Sequence, residues 1–246
     1  MITDSAMRRM VLNCLIGSAV LALFKSAVVF AAPEAEQQNE GIEARLEALD
    51  RRAAETADIT VDFEEEKFTP LLKKPLRSTG TVRVVAGRIR WDTQTPFPVM
   101  MLLENQELKL YFPQRQALEV YALADRLAQL AMSPQPRLAD LRAHFDLEPR
   151  EEGAALVVDL TPQADVLRKH VQRIRVTLDE KEAAAKEVEL VAGEGERTVI
   201  RFHRVRRNRG LKPTDLDLHI PPETVITHPL SDLQGGGAAK SEPPAP

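Results

Sequence analysis

The groups of this 246-residue chain that could do chemistry are few: five histidines, one cysteine and a handful of acidic residues next to apolar stretches. Zinc sites draw on His and Cys at short spacings, such as i, i+4 along one helix face. His144, His170, His203, His219 and His228 are scattered without such spacing, so each is expected to be an exposed or interfacial residue and no metal site is expected. Asp159, Asp179 and Asp215 could pair as acid and base only if the fold brought them together; each is read at a strand end or turn, where carboxylates are kept for solvation. No GxSxG elbow, P-loop or GxGxxG occurs. Gly193-Glu194-Gly195-Glu196 is read as a hairpin turn, because no helix follows to aim its amides at an anion. Glu64-Glu65-Glu66 has no histidine nearby and is read as a solvated edge. The chain is therefore expected to be no enzyme and to hold no cofactor.

Cys14, the sole cysteine, stands in an N-terminal stretch with the layout of an export signal: Arg8-Arg9, an apolar run from Met10 to Phe24, and small residues at Val29-Phe30-Ala31. Cleavage is expected after Ala31. Lys25 interrupts the run before it reaches the roughly 20 apolar residues that a permanent anchor needs, so anchoring ranks second. Loss of Arg8, Arg9, Lys25 and Asp4 leaves 30 basic and 36 acidic residues, and no disulfide. That balance does not suit a nucleic-acid binder, which needs clustered positive charge; Arg201 to Arg209 is read as a strand end with solvated arginines.

The remaining elements must form the working surface. Residues 32–40 are expected to be a flexible spacer. A helix then places Ile42, Leu46 and Leu49 on one stripe. From Ile59 the chain alternates at period two: Ile59, Val61 and Phe63, then Val82 and Val84, then Ile89 and Trp91 against Arg88 and Arg90. Val99 to Leu103 is apolar on both faces, and Leu108, Leu110 and Phe112 oppose Lys109 and Tyr111. Two amphipathic helices are expected next, one striped by Leu123, Leu127 and Leu130, the other by Leu138, Leu141 and Phe145, with Ser133-Pro134-Gln135-Pro136 between them. Such a pair inserted in a sheet has the shape of a lid. Further strands are expected at 145–149, 154–160, 171–178, 187–192, 198–203 and 216–220. Ten to twelve strands exceed what one flat sheet accommodates without curvature or closure. Residues 233–246, with three consecutive glycines and a Pro-rich end, are expected to form a disordered tail.

The order Ser78-Thr79-Gly80, Arg88-Ile89-Arg90-Trp91, Thr95-Pro96, Met100 to Asn105 and Leu108 to Pro113 resembles the periplasmic outer-membrane lipoprotein carrier family, the LolA-like proteins. The resemblance runs from about residue 42 to 226, through Leu160-Thr161-Pro162 and Ile220-Pro221-Pro222. It implies an α+β, mainly β fold: a strongly curved, incomplete antiparallel β-barrel in residues 41–232, with helices covering its concave apolar face. It also implies a carrier that holds the acyl chains of a lipoprotein, or another lipid, between an inner-membrane exporter and an outer-membrane acceptor, working as a monomer in the periplasm.

On that reading the lipid-binding residues are Val82, Val84, Ile89, Trp91, Met100, Leu102, Leu108, Leu110 and Phe112, and the lid residues are Leu123, Leu127, Leu130, Leu138 and Leu141. The family's arginine that latches the lid falls on Val85, which leaves Arg83 or Arg88 as its stand-in. The alternative is a lipid- or lipoprotein-sensing adaptor of the same fold. Such adaptors carry a second domain, and only a short tail follows Pro222 here.

Overall fold

The computed structural model describes residues 32–105, 107–122, 133–169 and 171–229. The expected export signal and cleavage site, Leu123, Leu127, Leu130, His170 and the expected tail at 233–246 lie outside them.

Helix α1 spans Ala32–Ala54. The expected spacer at 32–40 is therefore helical, with Pro33 in the first turn, where its missing N–H costs nothing, followed by the helix formers Ala, Glu and Gln. Ile42, Leu46 and Leu49 are buried as their stripe requires. The division into compact units falls inside this helix, after Arg45.

Twelve strands follow: β1 (Asp58–Phe68), β2 (Leu76–Val85), β3 (Arg88–Thr95), β4 (Val99–Glu104), β5 (Glu107–Phe112), β6 (Ala117–Ala122), β7 (Phe145–Glu152), β8 (Ala155–Pro162), β9 (Val171–Asp179), β10 (Ala184–Ala192), β11 (Arg197–Arg207) and β12 (Val225–Thr227). They form one open, curved sheet in the order β12-β6-β5-β4-β3-β2-β1-β11-β10-β9-β8-β7. Every neighbouring pair is antiparallel except β12 on β6, which is parallel. The strand count predicted closure or curvature, and the chain takes curvature: β7 and β12 remain as edges.

The turns follow their residue types. Ala86 and Gly87 both adopt positive φ between β2 and β3, the geometry of a tight hairpin whose twist matches its strands. The Gly193–Gly195 turn joins β10 to β11 as expected, with Gly195 at φ +78.

Three expectations from sequence change. The second covering helix shrinks to a single turn, α2 (Leu138–Leu141), because the chain turns at His144 and Phe145 already opens β7. A short helix absent from the sequence reading, α3 (Asp165–Arg168), joins β8 to β9. No strand forms at 216–220. Pro213–Leu216 is a 3-10 turn instead, and the carbonyls nearby are taken by arginine side chains rather than by a neighbouring strand.

Candidate functional site

Strand register settles which side chains share a face. Ile59, Val84, Ile89, Leu103 and Leu108 lie opposite one another in a row across β1 to β5. A second row runs Val61, Val82, Trp91, Met101 and Leu110. Phe112 stands on the same face, two residues beyond Leu110. Seven of the nine lipid-site candidates, Val82, Val84, Ile89, Trp91, Leu108, Leu110 and Phe112, are thus brought together.

Met100 and Leu102 are not. Met100 pairs with Asp92 and Tyr111, and Leu102 with Arg90 and Lys109, which puts both on the reverse face. The run Val99 to Leu103 is apolar on both faces, so its alternation carried no sign. The register assigns Met101 and Leu103 to the apolar rows instead, and Leu102 packs with Val85 and Leu216 in a separate small core.

Trp91 is the hub of the apolar face. Its ring meets Phe63 edge-on at 4.9 Å between centroids and Phe202 at 6.0 Å. Phe63 and Trp91 belong to β1 and β3, and β2 lies between them with Gly80 opposite Phe63. A Cβ on Gly80 would lie 2.8 Å from the Phe63 ring and 2.0 Å from the Asp92 carbonyl oxygen. The missing side chain is what allows the two rings to touch across the intervening strand.

Burial divides this face in two. On β8 to β10, Leu156, Val158, Leu160, Ile174, Val176 and Val188 are each at 0% exposure, a solid core. On β3 to β5, Ile89 and Leu103 are buried at 4% and 1%, whereas Trp91, Met101, Leu108, Leu110 and Phe112 are only half-buried. At the end of the sheet beside the β2–β3 turn lies a cavity of about 320 Å³, lined by Val84, Ile89, Ala53, Ser133, Gln135 and Leu141 among others. This joins two of the lipid-site candidates to one of the lid candidates. Leu138 and Leu141 are both buried, at 2% and 1%.

The segment bearing α2 is fastened by groups that the sequence did not single out. The Asp50 carboxylate accepts hydrogen bonds from the Leu138 and Ala139 N–H groups at 2.9 and 2.8 Å. Gln135 Nε2 donates to the Ala53 carbonyl at 3.2 Å, and Ala185 N–H to the Pro134 carbonyl at 2.8 Å. Arg52 in turn donates to the Glu180 and Lys181 carbonyls.

The two arginines proposed as latches do something else. Arg83 pairs with Asp92 and donates to the Asp215 carbonyl; Arg88 donates to the Pro213 carbonyl and bridges Glu104 and Asp217. Arg90 joins them, with Nη1 2.6 Å from the Asp217 carbonyl oxygen. All three project from the face opposite Ile89 and Trp91, since period-two alternation separates them, and hold residues 213–217 there. Val85 faces the same way, packed on Leu216. The buried Asp58 carboxylate secures the start of this strap by accepting the Arg209, Gly210 and Leu211 N–H groups at 3.0, 2.9 and 3.2 Å.

The aspartates read as solvated ends resolve separately. Asp159 sits inside β8 at 8% exposure, bonded by Arg150 and Arg175 at 2.7 and 2.9 Å. Burial resists its ionisation, but these arginines outweigh burial and hold its carboxyl below the usual range. Asp179 accepts the Glu182 N–H and Asp215 the Lys212 N–H, both ordinary turn bonds. Glu65 contradicts its reading as solvated edge. It shares the apolar face, opposite Ile200 and Ser78, and burial raises its carboxyl above the usual range, with Lys67 opposing weakly. At the far side of the apolar rows, Tyr121 donates to Glu119 at 2.8 Å, and that bond raises the phenol. Among the described residues, no group of three His, Cys, Asp or Glu side chains could hold a metal ion.

An open, curved, mainly β sheet with one apolar face is the class of fold the chain adopts, and comparison with known proteins gives its family. Residues 54–215 match the family model described as outer membrane lipoprotein carrier protein LolA. The chain belongs to that family. An outer-membrane lipoprotein carrier protein of Azotobacter vinelandii is 25% identical over 83% of this chain and 96% of its own. Another, of Dechloromonas aromatica, is 26% identical over 63% and 74%. Among solved structures, a LolA superfamily protein of Nitrosomonas europaea is similar over 72% of this chain and 97% of its own, with a TM-score of 0.41 and 11% identity.

Proposed function

We propose that this chain is an exported carrier, cleaved after Ala31, that binds the acyl chains of lipoproteins or of another lipid and shuttles them through the periplasm toward the outer membrane. The observation that carries this reading is the contrast, on one apolar face, between a solid core on β8 to β10 and the half-buried cluster of Trp91, Met101, Leu108, Leu110 and Phe112 on β3 to β5. A protein that needed only stability would close both. Each acyl methylene buried there stabilises the complex by about 0.8 kcal/mol, which favours holding an otherwise insoluble chain.

The cavity at the β2–β3 end stands at the small end of ligand pockets, which run about 300–1,000 Å³. A multi-chain anchor therefore enters by displacing the segment that carries Leu138 and Leu141. Purifying the protein from its native compartment and identifying co-purifying molecules by mass spectrometry tests the reading. Acylated peptides support lipoprotein transport, another lipid changes the cargo, and the absence of any apolar molecule contradicts it.

A further inference from the structure

Of the six large hydrophobic side chains exposed among the described residues, Val225 and Ile226 lie on edge strand β12, and the other four lie at the opposite end of the strands from that cavity. Leu71 and Leu72 in the β1–β2 loop are 91% and 46% exposed, Leu76 at the start of β2 is 54% exposed, and Phe97 in the β3–β4 turn is 69% exposed. Strand order and register put both connections at the same end of the sheet, where the Thr79 and Thr95 hydroxyls meet at 2.6 Å. A single exposed leucine needs no explanation, but four large apolar side chains at one end of a sheet do. The loop is also ordered: the Leu72 N–H donates to the Thr69 carbonyl at 3.1 Å, so the leucines are presented on a formed turn between Pro70 and Pro75.

The loop itself carries charge of one sign; at its margins Glu66 pairs with Arg77 at 2.9 Å and Glu196 with Lys67 at 3.6 Å, which leaves Lys73 and Lys74 as its cations outside those pairs. Residues 69–77 read Thr-Pro-Leu-Leu-Lys-Lys-Pro-Leu-Arg, with three cations and no acidic residue, in a chain whose net charge is -4. Among the described residues, neither Lys73 nor Lys74 takes part in an ion pair. Apolar tips flanked by unpaired ammonium groups complement the acyl–headgroup boundary of an anionic bilayer: the leucines enter the hydrocarbon edge while the lysines stay among the phosphates.

We propose that the β1–β2 loop, through Leu71, Leu72, Lys73 and Lys74, with Phe97 at the same end of the sheet, is a docking surface for anionic membranes. This surface is separate from the acyl-binding face and does not depend on it.

The test is co-sedimentation of the exported protein, as the cell processes it, with phosphatidylglycerol vesicles and with neutral phosphatidylcholine vesicles. Leu71→Glu/Leu72→Glu is expected to weaken partitioning onto anionic vesicles about 100-fold, from the loss of two buried leucines. Lys73→Gln/Lys74→Gln is expected to weaken it by about 25-fold, from two surface cations, and to flatten its salt dependence. All four positions are exposed, so folding should survive, as circular dichroism would verify. Uptake of a fluorescent fatty acid by the loop variants should match wild type, which separates failure of docking from failure of acyl binding. Wild-type protein that ignores anionic vesicles, or a Leu71→Glu/Leu72→Glu variant that binds them as wild type does, overturns the proposal. The first of these outcomes would leave the loop to a protein partner.

Discussion

The Asp50 carboxylate caps the amide of Leu138 from another helix, at 2.9 Å, and that of Ala139 at 2.8 Å. This bond ties the segment over the cavity to α1. Asp50→Ala is expected to cost about 1–2 kcal/mol, the usual worth of a carboxylate capping helix amides. Hydrogen exchange should show the 138 and 139 amides losing protection while β8 to β10 keep theirs. Equal loss throughout the sheet would show a general destabiliser rather than a local fastening.

Gly80 lies between Phe63 and Asp92 with no room for a methyl group. Gly80→Ala should therefore lower stability by about 1–3 kcal/mol, the range for overpacking a formed core. Denaturant titration followed by Trp91 emission checks both the loss and the displacement of the ring pair. An unchanged midpoint would contradict the contact geometry.

Glu65 and Asp159 give opposite pH dependences. For Glu65 the folded carboxyl titrates above its unfolded value, so its contribution is complete below the unfolded pKa and is lost as pH rises through the folded one. Glu65→Gln should therefore raise Tm at neutral pH and leave it nearly unchanged in acid. Asp159 titrates below its unfolded value, so its contribution is complete above that value and disappears as pH falls through the folded pKa. Asp159→Asn should lower Tm at neutral pH and lose that effect in acid. Thermal melts across the acid limb test both signs.

Much of this was readable from residue order. Alternation from Ile59 to Phe112 is dense, and side-chain faces follow from period two wherever a polar residue marks the other side. Val99 to Leu103 offers no such mark, so alternation alone does not assign Met100 and Leu102 to the reverse face that the register gives them. The roles of Asp50, Asp58, Arg88 and Arg90 depend on partners 88 to 153 positions away in sequence. No local pattern encodes such pairings. A run of three glutamates suggests solvent, whereas strand alternation turns Glu65, the middle one, inward.

Trp91 is the only tryptophan in the chain and stands at the centre of the proposed acyl face, so its emission reports on that face alone. The decisive measurement is quenching of Trp91 by a fatty acid brominated along its chain, in wild type, in Leu110→Glu and in Met100→Glu. Leu110 lies in the same row as Trp91, and Met100 lies on the reverse face. The account predicts saturable quenching in wild type and in Met100→Glu, and at least about tenfold weaker binding in a soluble Leu110→Glu, the equivalent of one lost buried leucine contact. No quenching in wild type, or equal quenching in all three proteins, would contradict it.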